Sequence, residues 1–235
     1  TGLPRAFALC GNIYAAGPAE GRADAKHSRG KAAGSAAAKH SRRKAAGSAV
    51  AKKQTRKTTG EDTYRNMTKK INQSQINIRP VRPEDVEAVA RVEARCFPAA
   101  EAATAEEFAG RIDAFGDCFF VLEHEGEIIG FINGCATDER TIRDEMFHDP
   151  ALHKKDGAYQ SIFGLDVAPE YGRQGLGARL MEHMIGDARN RGRRGLILTC
   201  KEKLIHYYES FGYVNQGISQ STHGGAVWYD MVLEF

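Results

Sequence analysis

The stretch from Asp166 to Ile185, DVAPEYGRQGLGARLMEHMI, sets Gly172, Gly175 and Gly177 around Arg173 and Gln174, directly before a helical pattern. A helix start leaves about four backbone N–H groups without partners, and the helix dipole adds partial positive charge there. Glycines let the preceding loop turn so that several N–H groups converge and a ligand approaches the backbone closely. Such a bend would hold an anion, above all a phosphate or pyrophosphate, with Arg173 as an added cation. The same glycines would equally serve a plain strand-to-helix turn. The spacing is not G-x-G-x-x-G, because Gly175 and Gly177 lack a third glycine at the required offset, and no Gly-Lys-Ser/Thr marks a P-loop.

Other chemistry-bearing residues are sparse. Five cysteines, Cys10, Cys96, Cys118, Cys135 and Cys200, are odd in number and show no C-x-x-C spacing, which predicts reduced thiols in a cytoplasm and no zinc site. The eight histidines include no H-x-x-x-H pair, so no metal is expected. Asp138, Glu139, Asp144 and Glu145 would attract a cation, or would simply be a solvated acidic loop.

The elements that position the loop follow from periodicity. INIRPV, from Ile76, predicts a first strand. Pro83 then opens a helix whose face carries Val86, Val89, Val92 and Cys96. Thr104 with Glu107 forms a capping box for a second helix with Phe108, Ile112 and Phe115 on one side. CFFVLEHEGEIIGFINGCA predicts two strands around a turn at Glu125-Gly126, and QSIFGLDV predicts one continuous strand. Beyond the glycine bend, Leu176, Leu180, Met184, Ile185 and Ala188 mark a helix ending near Gly192. GLILTC is a strand, EKLIHYYESF a helix stopped by Gly212, and YVNQGIS a further strand. AVWYDMVLEF alternates, with Val227, Tyr229, Met231, Leu233 and Phe235 expected on one side. The order predicts a mixed sheet covered by helices, and about 160 residues suffice for one core.

The N-terminal part has another character. Residues 1–75 carry 16 Lys and Arg against 4 Asp and Glu, whereas residues 76–235 carry 17 against 26. KHSRGKAAGSAAA from Lys26 is followed directly by KHSRRKAAGSAVA, a 13-residue repeat almost free of large apolar side chains. Such a segment buries too little surface to offset its chain entropy, so residues 1–75 are expected to be a disordered basic arm. The arm would bind nucleic acid or an anionic surface, or it would be a solvated tail. Met67 would make an ordinary N-terminus, so the arm is expected to be dispensable. No apolar run approaches the ~18 residues of a membrane span, and the first residues lack the order of a secretion signal. A cytoplasmic protein without membrane association is expected.

From VRPEDVEAV to the C-terminus, about 160 of the 235 residues, the chain resembles the GCN5-related N-acetyltransferases. FGLDVAPEYGRQGLGARLM is similar to that family's strand, V-x-P turn and acetyl-CoA pyrophosphate loop. HYYESFGY is similar to its late helix, with a tyrosine four residues before a glycine. FINGCATDER, LTCKEKLIHYYESFGY and GGAVWYDM resemble the arylalkylamine N-acetyltransferase group. The resemblance implies an α/β (α+β) fold, a mixed and mostly antiparallel central sheet flanked by helices, over residues 76–235. It implies acetyl-CoA as co-substrate, in a splay between the strands ending at Val167 and Cys200. The backbone of Leu165, Asp166 and Val167 would pair with the pantetheine arm. The loop of Arg173, Gln174, Gly175, Leu176, Gly177 and Ala178 would hold the pyrophosphate. Tyr208 would be the general acid, and Glu101, between the first two helices, the base.

The partners implied are acetyl-CoA and a small primary amine; acetylation of a protein N-terminus or lysine is the alternative, and nucleic acid would bind through the arm alone. A monomer or homodimer is expected. Two departures stand out. The family's Arg or Gln before the glycines is Gly172 here, and the paired histidines of animal arylalkylamine enzymes fall at Ser161 and Phe163.

Overall fold

The computed structural model describes residues 69–97, 102–222 and 225–235. The repeat-bearing arm through residue 68, and Glu101, lie outside the described residues. Strand β1 (Ile76–Pro80) leads through a 3-10 turn at Pro83–Asp85 into helix α1 (Val86–Cys96). Helix α2 (Ala105–Phe115) starts at the predicted capping box: Thr104 Oγ1 accepts the Glu107 N–H at 3.2 Å, and Glu107 Oε2 accepts the Thr104 N–H at 2.7 Å. Strands β2 (Phe119–His124) and β3 (Glu127–Asn133) form the predicted hairpin, with Glu125 and Gly126 both at positive φ (51° and 81°). Two left-handed residues in succession match the right-handed twist of the flanking strands.

The predicted strand 160–167 is divided. Strands β5 (Tyr159–Ile162) and β6 (Gly164–Val167) are separated at Phe163 and belong to two different sheets. One sheet, in the order β1-β2-β3-β6, is antiparallel throughout. The other comprises β4 (Ala136–Thr137), β5, β7 (Gly195–Cys200), β9 (Tyr229–Glu234) and β8 (Val214–Ile218), in the order β4-β5-β7-β9-β8. Its β5–β7 pair is parallel. Helix α3 (Leu176–Asn190) and the short helix α4 (Ile205–Glu209) complete the described elements.

Two apolar clusters lie on opposite faces. Phe108, Phe115, Phe119, Phe131 and Phe163 join Val89 and Val92 of α1 in one. Leu165, Leu176, Leu180, Met184, Tyr208 and Met231 form the other with α3 and α4. Alternation along β3 sends Phe131 to the first and Ile132 to the second. Strand β9 departs from the one-sided pattern expected of it. Val232 is buried as well as Met231 and Leu233, while Val227 and Phe235 are 60% and 44% exposed. A strand covered on both faces carries no alternation to read.

Contacts to the glycine loop begin before residue 76. The Lys69 N–H bonds the Glu170 carbonyl at 2.7 Å, the Ile71 N–H bonds Gln174 Oε1 at 3.2 Å, and Gln174 Nε2 bonds the Lys69 carbonyl at 2.8 Å. Residues 69–75, assigned above to the arm, therefore strap the glycine loop. The strap's own backbone makes these bonds, to the Glu170 carbonyl and the Gln174 side-chain amide, and composition alone does not reveal them.

Candidate active site

The division at Phe163 creates the site. β5 runs parallel to β7 up to the Ile162–Leu198 pair. β6 then pairs with β3, while Thr199 and Cys200 pair only with β9. The two strands part, and a V-shaped opening lies between Gly164–Val167 and Thr199–Cys200. The bend is a bulge: the Phe163 N–H bonds the Asn133 carbonyl at 2.7 Å although Gly164 is the register partner of Asn133.

Backbone alternation decides which groups face the opening. The Ala168 N–H bonds the Ile129 carbonyl at 2.8 Å, so every second residue before it also faces β3. Asp166 is one of these. Its carbonyl oxygen lies 2.7 Å from where Gly130 of β3 would carry a Cβ. The expectation for Asp166 is therefore corrected, since its backbone is turned to β3. Leu165 and Val167 turn their N–H and C=O groups toward the splay. Cys96 Sγ, at the end of α1, reaches the Val167 carbonyl at 3.5 Å.

Beyond Val167 the chain makes a 3-10 turn at Pro169–Tyr171 and enters the glycine loop. Arg173 has φ 60° and Gly175, the N-cap of α3, has φ 78°. Left-handed residues alternating with right-handed ones turn successive N–H groups to one side. The first amide with an intrahelical acceptor is that of Arg179, which bonds the Gly175 carbonyl at 3.1 Å. The N–H groups of Leu176, Gly177 and Ala178 precede it, and no side chain caps them because the N-cap is a glycine. Leu176 is itself buried and offers only its backbone. Arg173 is exposed beside the loop. Gln174 differs from expectation: its side-chain amide is engaged by Lys69 and Ile71, and its carbonyl receives Gln73 Nε2 at 3.3 Å.

Tyr208 lies in α4, 1% exposed, with its ring 5.2 Å from Tyr207 and 5.9 Å from Tyr213. It belongs to the same apolar cluster as Leu165 and Cys200, one from each side of the splay. Ser161 donates its hydroxyl to the Cys135 carbonyl at 2.8 Å, and Phe163 packs against Phe147 at 4.9 Å and Phe115 at 6.0 Å. Neither can serve as a base.

Of the acidic loop, Asp138 is paired with Lys154, which holds its carboxyl below the usual range. Asp144 accepts from the Ser221 hydroxyl at 2.5 Å and the Thr222 N–H at 3.2 Å. Asp144, Glu145 and Asp230 line a cleft of about 420 Å³ with Ile218 and Ser219. Among the described residues no group of His, Cys, Asp or Glu is placed to hold a metal ion, and no helix is long and apolar enough to cross a membrane.

Sequence reasoning passed over a buried polar group on the α1 and α2 side: Glu93, Arg111, Asn133 and the side chain of Asp166. The signal was present. Glu93 falls four residues after Val89 and three before Cys96, on the apolar stripe of α1, and Asp166 interrupts the run IFGLDV.

A parted pair of strands with an uncapped helix start at its mouth is an arrangement that receives an extended chain ending in a phosphate group. The chain belongs to the acetyltransferase (GNAT) family, whose sequence profile matches residues 86–213, more than half of it. It is 27% identical over 172 residues to "Probable hydrolase YhcX" of Bacillus subtilis (strain 168), a match covering 69% of this chain and 33% of that protein. It is 27% identical over 107 residues to "N-acetyltransferase 8" of Homo sapiens, covering 44% of this chain and 41% of that one. The chain thus spans well under two thirds of either curated relative. The structure of the "GphF GNAT-like decarboxylase in complex with isobutyryl-CoA" is similar in fold, with a TM-score of 0.60, 22% identity, and coverage of 67% of this chain and 98% of that one.

Proposed function

We propose that this protein transfers the acetyl group of acetyl-CoA to a primary amine, a small arylalkylamine in the reading its sequence resemblance favours, by direct attack within a ternary complex. The observation that carries the reading is the splay mouth, where the amides of Leu176, Gly177 and Ala178 stand uncapped at the end of strand β6.

These residues divide the work. The three amides and the positive end of α3 hold the pyrophosphate, with Arg173 adding charge. The edge of Val167 pairs with the pantetheine arm as a further strand would. The Val167 N–H polarises the thioester carbonyl and stabilises the negative oxygen that forms on attack. Tyr208 gives its phenolic proton to the departing thiolate. The nitrogen–carbon bond forms as the carbon–sulfur bond breaks. The acceptor arrives as an ammonium ion, so a group on its side must take a proton. The sequence points to Glu101, which lies outside the described residues.

The test is thiol release from acetyl-CoA in the presence of aromatic amines, polyamines, aminoglycosides and peptides, one class at a time. Turnover with a free arylalkylamine and none with peptides is the expected result. Turnover with peptides alone reassigns the acceptor, and turnover with no amine overturns the reading.

A further inference from the structure

On the face of β3 and β6 covered by α1 and α2, four polar side chains are buried in an aromatic cluster. Glu93 is 5% exposed, Arg111 6%, Asn133 0% and Asp166 3%. Both polar side-chain atoms of Asn133 are buried and make no hydrogen bond. The Asp166 carboxyl is buried beside it. Gly164 lies between these two: a Cβ there would stand 3.2 Å from Asn133 Nδ2 and 3.4 Å from Asp166 Oδ2. With no side chain at that position, the amide and the carboxyl border the same narrow space, which the Phe131 ring edge also lines at 3.2 Å from that point. Buried polar groups without partners are costly to a fold and are kept where a ligand supplies the partner.

The location is as telling as the lack of partners. Asp166 sits between Leu165 and Val167, the residues whose backbone edges line the splay. Cys96, one turn beyond Glu93 on α1, touches the Val167 carbonyl at 3.5 Å, which sets this end of α1 over the strand. The cluster therefore lies on the α1 and α2 side of the point where the thioester is expected, opposite the face that carries α3.

We propose that Glu93 and Asp166, with Asn133 beside them, receive the primary ammonium group of the acceptor, and that Glu93, in place of the Glu101 to which the sequence points, takes its proton. The proposal rests on the acetyltransferase reading. Two neighbouring buried carboxyls do not both ionise. Burial, reinforced by the charge of Glu93, pushes Asp166 far above the usual carboxylate range, so Asp166 keeps a proton. Burial pushes Glu93 up to about 7, against the Ala103 N–H at 3.2 Å and the charge of Arg111, with Glu107 adding a small upward push. The charged groups facing Glu93 are thus Arg111 and Glu107 from α2 and Asp166 from β6; Asn133 of β3 is neutral.

At neutral pH the pair holds one proton and can accept a second, which suits a base. The proton passes from the ammonium nitrogen to Glu93, and the freed lone pair attacks the thioester carbon. The nitrogen sheds a second proton to restore Tyr208, and Glu93 returns its own to water, so one proton is released per amide formed.

The experiment is the pH profile of kcat/KM for an amine that is a cation at pH 7. The wild-type profile should rise to a plateau near pH 7. E93Q should lose roughly 10²–10⁴-fold at pH 7, and its profile should keep rising tenfold per pH unit toward the amine's own pKa, because only neutral amine reacts. A weakly basic amine, already neutral at pH 7, should restore E93Q to within a few-fold of wild type. A carboxyl NMR titration of the unliganded protein should show a midpoint near 7 that E93Q lacks. If E93Q does not fold, E93D decides: its shorter carboxylate should lower the rate yet keep a rise of kcat/KM that levels off below the amine's own pKa. An unchanged E93Q rate, an equal loss for both amines, or an E93D profile that follows the amine's own pKa alone overturns the proposal. A wild-type protein that binds acetyl-CoA and acetylates no amine overturns the underlying reading, and this one with it.

Discussion

Gly175→Val tests the loop, and its effect can be worked from the backbone. Gly175 has φ 78° and ψ 7°, and a Cβ added there meets nothing within 4 Å of it in the protein. Its cost is conformational, since a left-handed L-residue is disfavoured by about 1–2 kcal/mol and a β-branched one by somewhat more. If the loop keeps its shape, that cost appears as lost stability, with Tm lower by about 2–4 °C per kcal/mol for a domain of this size. If the loop relaxes to negative φ, the amides of residues 176–178 no longer converge. Acetyl-CoA must then restore them, and its Kd rises by about 5–30-fold, at 1.4 kcal/mol per tenfold.

The isopropyl group also enters the space the ligand occupies, so Gly175→Ala should weaken binding less than Gly175→Val. Gly192 supplies the strain control: it closes the far end of the same helix with φ 70° and equally open surroundings. Gly192→Val should lower Tm and leave acetyl-CoA affinity unchanged. Calorimetric titration with acetyl-CoA and thermal melts on the three variants decide the matter. Folded Gly175 variants that bind acetyl-CoA as the wild type does would refute the placement of the pyrophosphate.

Three other expectations follow from named contacts. A chain beginning at residue 67 should match the full chain in Tm and acetyl-CoA Kd, whereas one beginning at residue 75 removes the partners of Glu170, Gln174 and Arg179. With each bond contributing about 0.5–1.5 kcal/mol at most, its Kd should rise several-fold, and equal values for the two truncations would remove the strap from the account. Tyr208→Phe should lower kcat by roughly 10²–10⁴-fold with little change in acetyl-CoA Kd, while Tyr207→Phe is nearly silent; two variants that behave alike would make Tyr208 a packing residue. Asp85 takes Arg79 in a two-point ion pair at 2.6 and 3.0 Å, and that guanidinium depresses its pKa in the folded state. A depressed carboxylate stabilises the fold above its unfolded pKa and loses that contribution as pH falls through the folded value. Asp85→Asn should therefore cost about 1.5–3 kcal/mol at pH 7 and progressively less below about pH 4, as paired thermal melts would show.

Much of the local structure was legible from residue types. The Thr104–Glu107 box, the left-handed Glu125–Gly126 turn and the uncapped glycine start of α3 are short-range events whose partners lie within a few residues. The loop, the tyrosine helix and the family likeness were legible for the same reason. Tertiary structure decided the rest. No periodicity marks Phe163 as the place where one apolar run leaves β7 for β3, because both halves are buried and the break depends on which neighbour each half meets. Alternation relative to β3 turned the backbone of Asp166 away from the splay and its side chain toward Glu93. That pair comes from elements over seventy residues apart in the chain, and the low dielectric that sets their proton affinities exists only once α1 has packed on β6. Composition marked residues 69–75 as polar, and only the folded loop beneath them supplied the Gln174 amide and the Glu170 carbonyl that hold them.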